Sequence, residues 1–140
     1  MAAIVDRESR GGDALTPPIP LGTGDHGHGK GLAQIDDRSH HRFIVAAFDD
    51  GRTPLWTDPT FNILYGARLL SVGFRVSKSW PVAIASYNAG LLRAMRVQKA
   101  LSDSGEIALI ASLDRITTGG DYVSDVLRRM SGFGPGLESV

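Results

Sequence analysis

Apolar positions along this chain recur at helical spacing rather than in alternation, and glycines and prolines divide them into short helices. Ala2-Ala3-Ile4-Val5 runs into Asp6, Arg7 and Glu8, a helical composition over residues 2–9. A helix that short is marginal alone, so it must pack on something or be the tail of a longer one. Gly11-Gly12 ends it, and Thr16-Pro-Pro-Ile-Pro20 predicts a stiff extended loop. Phe43 to Phe48 reads as a short apolar helical piece closed by Asp49-Asp50-Gly51. Asp58-Pro59 opens the next helix with an N-cap and a first-position proline. Phe61, Leu64, Tyr65, Leu69 and Val72 follow its apolar period, and Gly73 is expected to stop it. Trp80 to Ser86 begins another helix, ending at Asn88-Ala89-Gly90, and Leu91 to Leu101 is amphipathic and basic. Asp121 caps a last helix with Tyr122, Val126, Leu127 and Met130 on one side, before a loose tail over 131–140. There is no internal repeat and no alternating strand. The pattern predicts a small, mainly α-helical architecture.

Composition narrows the picture. At 140 residues and 42% hydrophobic, the chain suits a single globular domain spanning 1–140. Fifteen Lys and Arg balance fifteen Asp and Glu, so no net field draws the chain to nucleic acid or an anionic surface. The absence of cysteine excludes disulfides and thiolate chemistry. No apolar run approaches a membrane span, and no signal peptide is visible at the start.

The densest chemistry lies between Gly22 and Asp36, where Gly22, Gly24, Gly27, Gly29 and Gly31 let backbone fold tightly around something. Asp25 and Asp36 argue that this is not a phosphate. Gly22-Thr-Gly24-Asp-His-Gly27 matches a dinucleotide fingerprint by letters, but prolines stand where its strand should be. Gly24 to Lys30 approximates a P-loop, but Gly31 replaces the magnesium-binding Ser or Thr. His26, His28, His40 and His41 suggest a metal, yet a third ligand of fixed geometry is missing. Two exposed, polar loop histidines are the simpler reading, so no metal is assigned.

Glu8, near the end of its helix, has Ile4 and Val5 as neighbours; apolar surface there would raise its pKa and make it a proton donor. Tyr87-Asn88 reads either as a helix C-cap or as a sugar contact, since a tyrosine ring suits stacking. Thr117-Thr-Gly-Gly-Asp-Tyr122 reads as a turn capping the final helix, and both kinds of reading can hold together.

Four ordered blocks then match a family. Ala2 to Ser9, Gly24 through the glycine run to Asp36 and Ser39-His40, Ile84 to Gly90, and Thr117-Thr118 with Asp121-Tyr122 and Asp125-Val126 resemble the goose-type lysozymes. The soluble lytic transglycosylases are more distantly similar. The resemblance implies a lysozyme-like, mostly α (α+β) fold with a small β element beside a cleft. It implies cleavage of the β-1,4 bond between N-acetylmuramic acid and N-acetylglucosamine in peptidoglycan, without metal or cofactor. Glu8 would be the general acid, and Asp25 and Asp36 would orient water. Gln34, Tyr87, Asn88 and Tyr122 would contact sugar or hold the Glu8 carboxyl. Transglycosylases usually lack such aspartates and use the muramyl 6-hydroxyl instead, so the resemblance favours inverting hydrolysis.

The implied setting is extracellular or periplasmic, with a monomer acting on glycan strands and with neither nucleic acid nor membrane as partner. Bacteriolytic, antimicrobial action is among the roles it implies. The alternatives are a lytic transglycosylase and a non-catalytic peptidoglycan-binding remnant. Ala33 stands where the family usually has Met, the charge balance is neutral where lysozymes are often basic, and the family's helices before the catalytic one are not seen.

Overall fold

The computed structural model describes residues 1–15 and 22–133. Both the proline loop expected over 16–20 and residues 134–140 of the expected tail lie outside them. The described residues are mainly α-helical, with seven α-helices and one three-stranded antiparallel sheet. The chain divides into two compact units, Met1–Ala67 and Arg68–Val140.

In the first unit, helix α1 (Ala2–Ser9) buries Ala3, Ile4 and Ser9. It is ended by Arg10, which turns left-handed at φ 49° and donates its N–H to the Asp6 carbonyl, one residue earlier than the glycines suggest. The glycine run forms strands β1 (Thr23–Gly24), β2 (Gly29–Lys30) and β3 (Ile35–Asp36), paired in that order. Gly24 faces Gly29, and Gly29 faces Asp36, so one register column joins two glycines to a carboxylate. Strands of two residues leave no alternation to read, which is why the sequence pattern shows none. Beyond the sheet, helix α2 covers only His41–Ile44 rather than the expected Phe43 to Phe48; Ala47 instead bridges to Pro54. Leu32, Ala33 and Ile35 of the hairpin are buried, as is Ile4 of α1.

Helix α3 (Pro59–Ser77) begins as expected: the Asp58 carboxylate accepts the N–H groups of Thr60 (2.8 Å) and Phe61 (3.1 Å). Gly73 does not stop it. A Cβ there would lie 2.5 Å from Ser86 Oγ and 3.2 Å from Ala83 Cα, so this glycine serves close helix packing instead.

In the second unit, helix α4 (Trp80–Ala89) is the centre, with Pro81 to Ala85 all buried. Around it pack α5 (Leu91–Ala100), α6 (Glu106–Asp114) and α7 (Tyr122–Gly132). Gly90, at φ 86°, makes the break between α4 and α5 that other residues would resist. The cap of α7 departs from expectation. Asp121 makes no capping side-chain bond; the buried Asp114 at the end of α6 accepts from Val123 N (2.6 Å) and Ser124 N (3.3 Å). The buried face of α7 carries Tyr122, Val123, Asp125 and Val126, whereas Met130 is exposed. Ser131 and Gly132 belong to the helix rather than to a loose tail.

Candidate active site

The glycine run folds around two of the protein's own side chains. Gln34 turns left-handed at φ 48° between β2 and β3. Its Oε1 occupies the space where a Cβ on Gly24 or Gly29 would come within 2.2 Å, and its Nε2 donates to the Gly31 carbonyl at 2.8 Å. Asn62, fully buried on α3, accepts from Ala33 N (2.8 Å) and donates to the Lys30 carbonyl (3.0 Å). A Cβ on Gly31 would meet Asn62 Nδ2 at 2.5 Å. Gly24, Gly29 and Gly31 are therefore required by two amides that pin the hairpin, whereas Gly27 has open space around it and takes a left-handed turn at φ 94°.

This pinned hairpin presents Asp25 and Asp36. Asp25 and His26 both take left-handed backbone, at φ 48° and 55°, an unfavourable conformation for residues with a Cβ. The turn they form carries the Asp25 side chain outward, 60% exposed. Arg38 joins the two carboxylates. Its Nη2 lies 2.6 Å from Asp36 Oδ2 and 3.1 Å from Asp25 Oδ2, and its Nε contacts both Asp36 oxygens at 3.1 and 3.2 Å. Asp36 Oδ1 also accepts the backbone N–H groups of Arg38 (2.8 Å) and Ser39 (3.3 Å). The Arg38 guanidinium holds the Asp36 carboxyl at about 2, against a desolvation that pushes it up, with those backbone donors assisting.

Beside this pair, His28 Nδ1 lies 2.9 Å from Asp37 Oδ1, and Lys30 Nζ lies 3.6 Å from Asp37 Oδ2. The hydrogen bond with His28 is the main cause holding the Asp37 carboxyl below the ordinary range. Lys30 also donates to the Gly27 carbonyl at 2.7 Å and stands 5.7 Å from the centre of the Trp56 ring. The loop histidines are thus not alike: His26 is exposed, whereas His28 is half-buried and paired, contrary to the reading of both as exposed. His40 Nδ1 lies 3.1 Å from the Tyr65 hydroxyl, and Tyr65 stacks on Phe43 with ring centres 3.9 Å apart. Burial lowers the His40 pKa against the pull of Asp36.

Glu8 occupies the last turn of α1, half-buried, with Ile4 one helical turn before it. In the second unit, Tyr87 and Asn88 occupy the last turn of α4, both half-buried. The Asn88 side-chain oxygen accepts from Thr118 N at 2.8 Å, tying the end of α4 to the turn before α7. Tyr122 opens α7 and is 2% exposed, so its ring belongs to the core. Of the residues singled out in the sequence, Asp25 and Asp36 are brought together through Arg38. Arg38, Asn62 and Asp37 were not singled out. Arg38 carried a signal, a cation two residues after a hairpin aspartate; Asn62 carried none, because its partners lie about thirty residues upstream. Among the described residues, no group of three or more His, Cys, Asp or Glu could hold a metal ion.

Residues 1–110 match the family model described as "Transglycosylase SLT domain". The chain belongs to this family. The SLT match takes in Glu8, Asp25, Gln34, Asp36, Tyr87 and Asn88, together with Arg38 and Asn62; Tyr122 lies beyond it. Lysozyme g of Casuarius casuarius is 30% identical, with 92% of this chain and 60% of that protein aligned. Lysozyme g of Takifugu rubripes is 31% identical, over 92% of this chain and 62% of that protein. An X polypeptide of Escherichia coli is 34% identical over 96 residues, covering 66% of this chain and 51% of its own length. This SLT-family chain thus spans about half to three fifths of the length of the relatives it matches. The expected likeness to both goose-type lysozymes and lytic transglycosylases holds.

Proposed function

We propose that this chain, acting as one catalytic domain, cleaves peptidoglycan by inverting hydrolysis of the β-1,4 bond between N-acetylmuramic acid and N-acetylglucosamine. The observation that carries this reading is the Asp25–Arg38–Asp36 arrangement on a pinned hairpin in a chain of the SLT family. Two carboxylates held at one guanidinium can orient a water molecule, which hydrolysis requires and attack by the muramyl 6-hydroxyl does not.

In this mechanism Glu8 gives its proton to the glycosidic oxygen as the bond from that oxygen to C1 breaks. Water attacks C1 from the opposite face, and its oxygen forms the new bond while its proton passes to the carboxylate that orients it. Asp25 suits the direct contact, because its Oδ1 accepts no hydrogen bond among the described residues. Asp36, whose oxygens are engaged by Arg38 and two backbone amides, supplies charge and anchorage. Tyr87 and Asn88 contact sugar, and Tyr122 acts from the core beside the turn that Asn88 grips. Gln34 contributes by shaping the hairpin, since its amide is spent on Gly31. No metal or cofactor enters this chemistry. The setting is extracellular or periplasmic, with a monomer working on glycan strands; no helix among the described residues is long and apolar enough to cross a membrane.

The description of the matching family favours a second reading, transglycosylation. Mass spectrometry of digested peptidoglycan separates the two. Hydrolysis predicts fragments with free reducing ends. Fragments ending in 1,6-anhydromuramic acid would replace the hydrolytic reading with the second one, and binding without release of fragments would indicate a non-catalytic glycan-binding module.

A further inference from the structure

Asp25 and Asp36 are similar on paper and unequal in the fold. Asp36 receives the guanidinium at both oxygens and two backbone N–H groups at one of them. Among the described residues, the Asp25 side chain receives a single contact, from Arg38 Nη2 to its Oδ2. The Asp25 backbone is left-handed, as is that of His26, and the side chain stands in solvent. Such a carboxylate has little to fix its direction except that one nitrogen. Arg38 is itself 57% exposed. Ion pairs that open to water add little to stability, so holding the fold together is a weak reason for the contact between Arg38 and Asp25. What a guanidinium supplies is direction, since its nitrogens lie in one plane at fixed angles.

We infer that Arg38 is a positioning residue: anchored on Asp36, it sets the direction in which Asp25 offers its open oxygen to the attacking water. The inference rests on the hydrolytic reading above. A lysine at this position would return the charge without the planar fork.

The test compares the wild-type chain with Arg38→Ala, Arg38→Lys, Glu8→Gln and Arg42→Ala on purified peptidoglycan, with circular dichroism and thermal melting on each. Arg38→Ala is expected to lower kcat by roughly tenfold to a hundredfold, the scale of a misplaced reacting group, with KM changed less than about twofold. Its acid limb of kcat moves to higher pH, because the Asp36 carboxyl without the cation takes a proton sooner. Added guanidine restores part of the lost rate, Arg38→Lys falls between the two, and Arg42→Ala, on an exposed arginine of α2, matches wild type. Wild-type kcat and an unmoved acid limb in Arg38→Ala, with Glu8→Gln inactive, would overturn the inference and leave the hydrolytic reading standing. Full turnover in Glu8→Gln, or an inactive wild-type chain, would overturn that reading and the inference with it. If Arg38→Ala fails to fold, Arg38→Lys decides: a reduced kcat with a displaced acid limb supports the positioning role, and wild-type behaviour overturns it.

Discussion

Asp36 ties the hairpin's chemistry to its stability through one carboxyl. Its pKa in the folded chain is about 2, below the ordinary 3.8 that an unfolded chain would show. The folded state therefore binds its proton less readily, and the resulting stabilisation is fully present above the ordinary value. It is lost as pH falls from that value through about 2. Asp36→Asn should accordingly be less stable than wild type near neutrality, with the difference shrinking below pH ~4 and closing near pH ~2. Urea titrations at a series of pH values check this, and a gap that stays constant into the acid range would contradict it. The same substitution should cost more turnover than His28→Ala, whose partner Asp37 also keeps a lysine nearby; the reverse order would move attention to the histidine.

At the scale of elements, Asn62 links helix α3 to the hairpin by two hydrogen bonds to backbone, that from Ala33 N buried and that to the Lys30 carbonyl partly buried. Asn62→Ala leaves the Ala33 N–H and the Lys30 carbonyl without that partner, a loss of about 2–4 kcal/mol by the usual penalty for abandoned buried groups. Chemical denaturation measures it directly, and a loss under about 0.5 kcal/mol would show that water replaces the amide without cost.

The elements that could be read from the sequence were those with local punctuation: Asp58-Pro59 opening α3, Gly90 closing α4, and the basic stripe of α5. Those that could not were governed by distant contacts. Gly73 looked like a stop and is a packing glycine, the cap of α7 comes from Asp114 on another helix, and α6 begins at Gly105 with no side-chain cap to announce it. The site divides the same way. Family resemblance pointed to Glu8, Asp25 and Asp36, whereas Arg38 emerged only when its nitrogens could be placed against both carboxylates.

For the whole molecule, family membership and the balance of fifteen cationic against fifteen anionic residues set the terms. A chain without net charge gains little long-range attraction to an anionic wall, so the function proposed above would depend on local recognition and on Glu8 as the acid. That acid is the central claim, and the most direct test is the rate at which soluble fragments leave purified peptidoglycan with the wild-type chain and with Glu8→Gln. The amide replaces the carboxyl at nearly equal size on a half-buried helix end, so folding should be retained by circular dichroism. Fragment release should fall by about a hundredfold to ten-thousandfold, the range typical of a lost general acid. A folded Glu8→Gln chain that releases fragments at the wild-type rate would contradict the account.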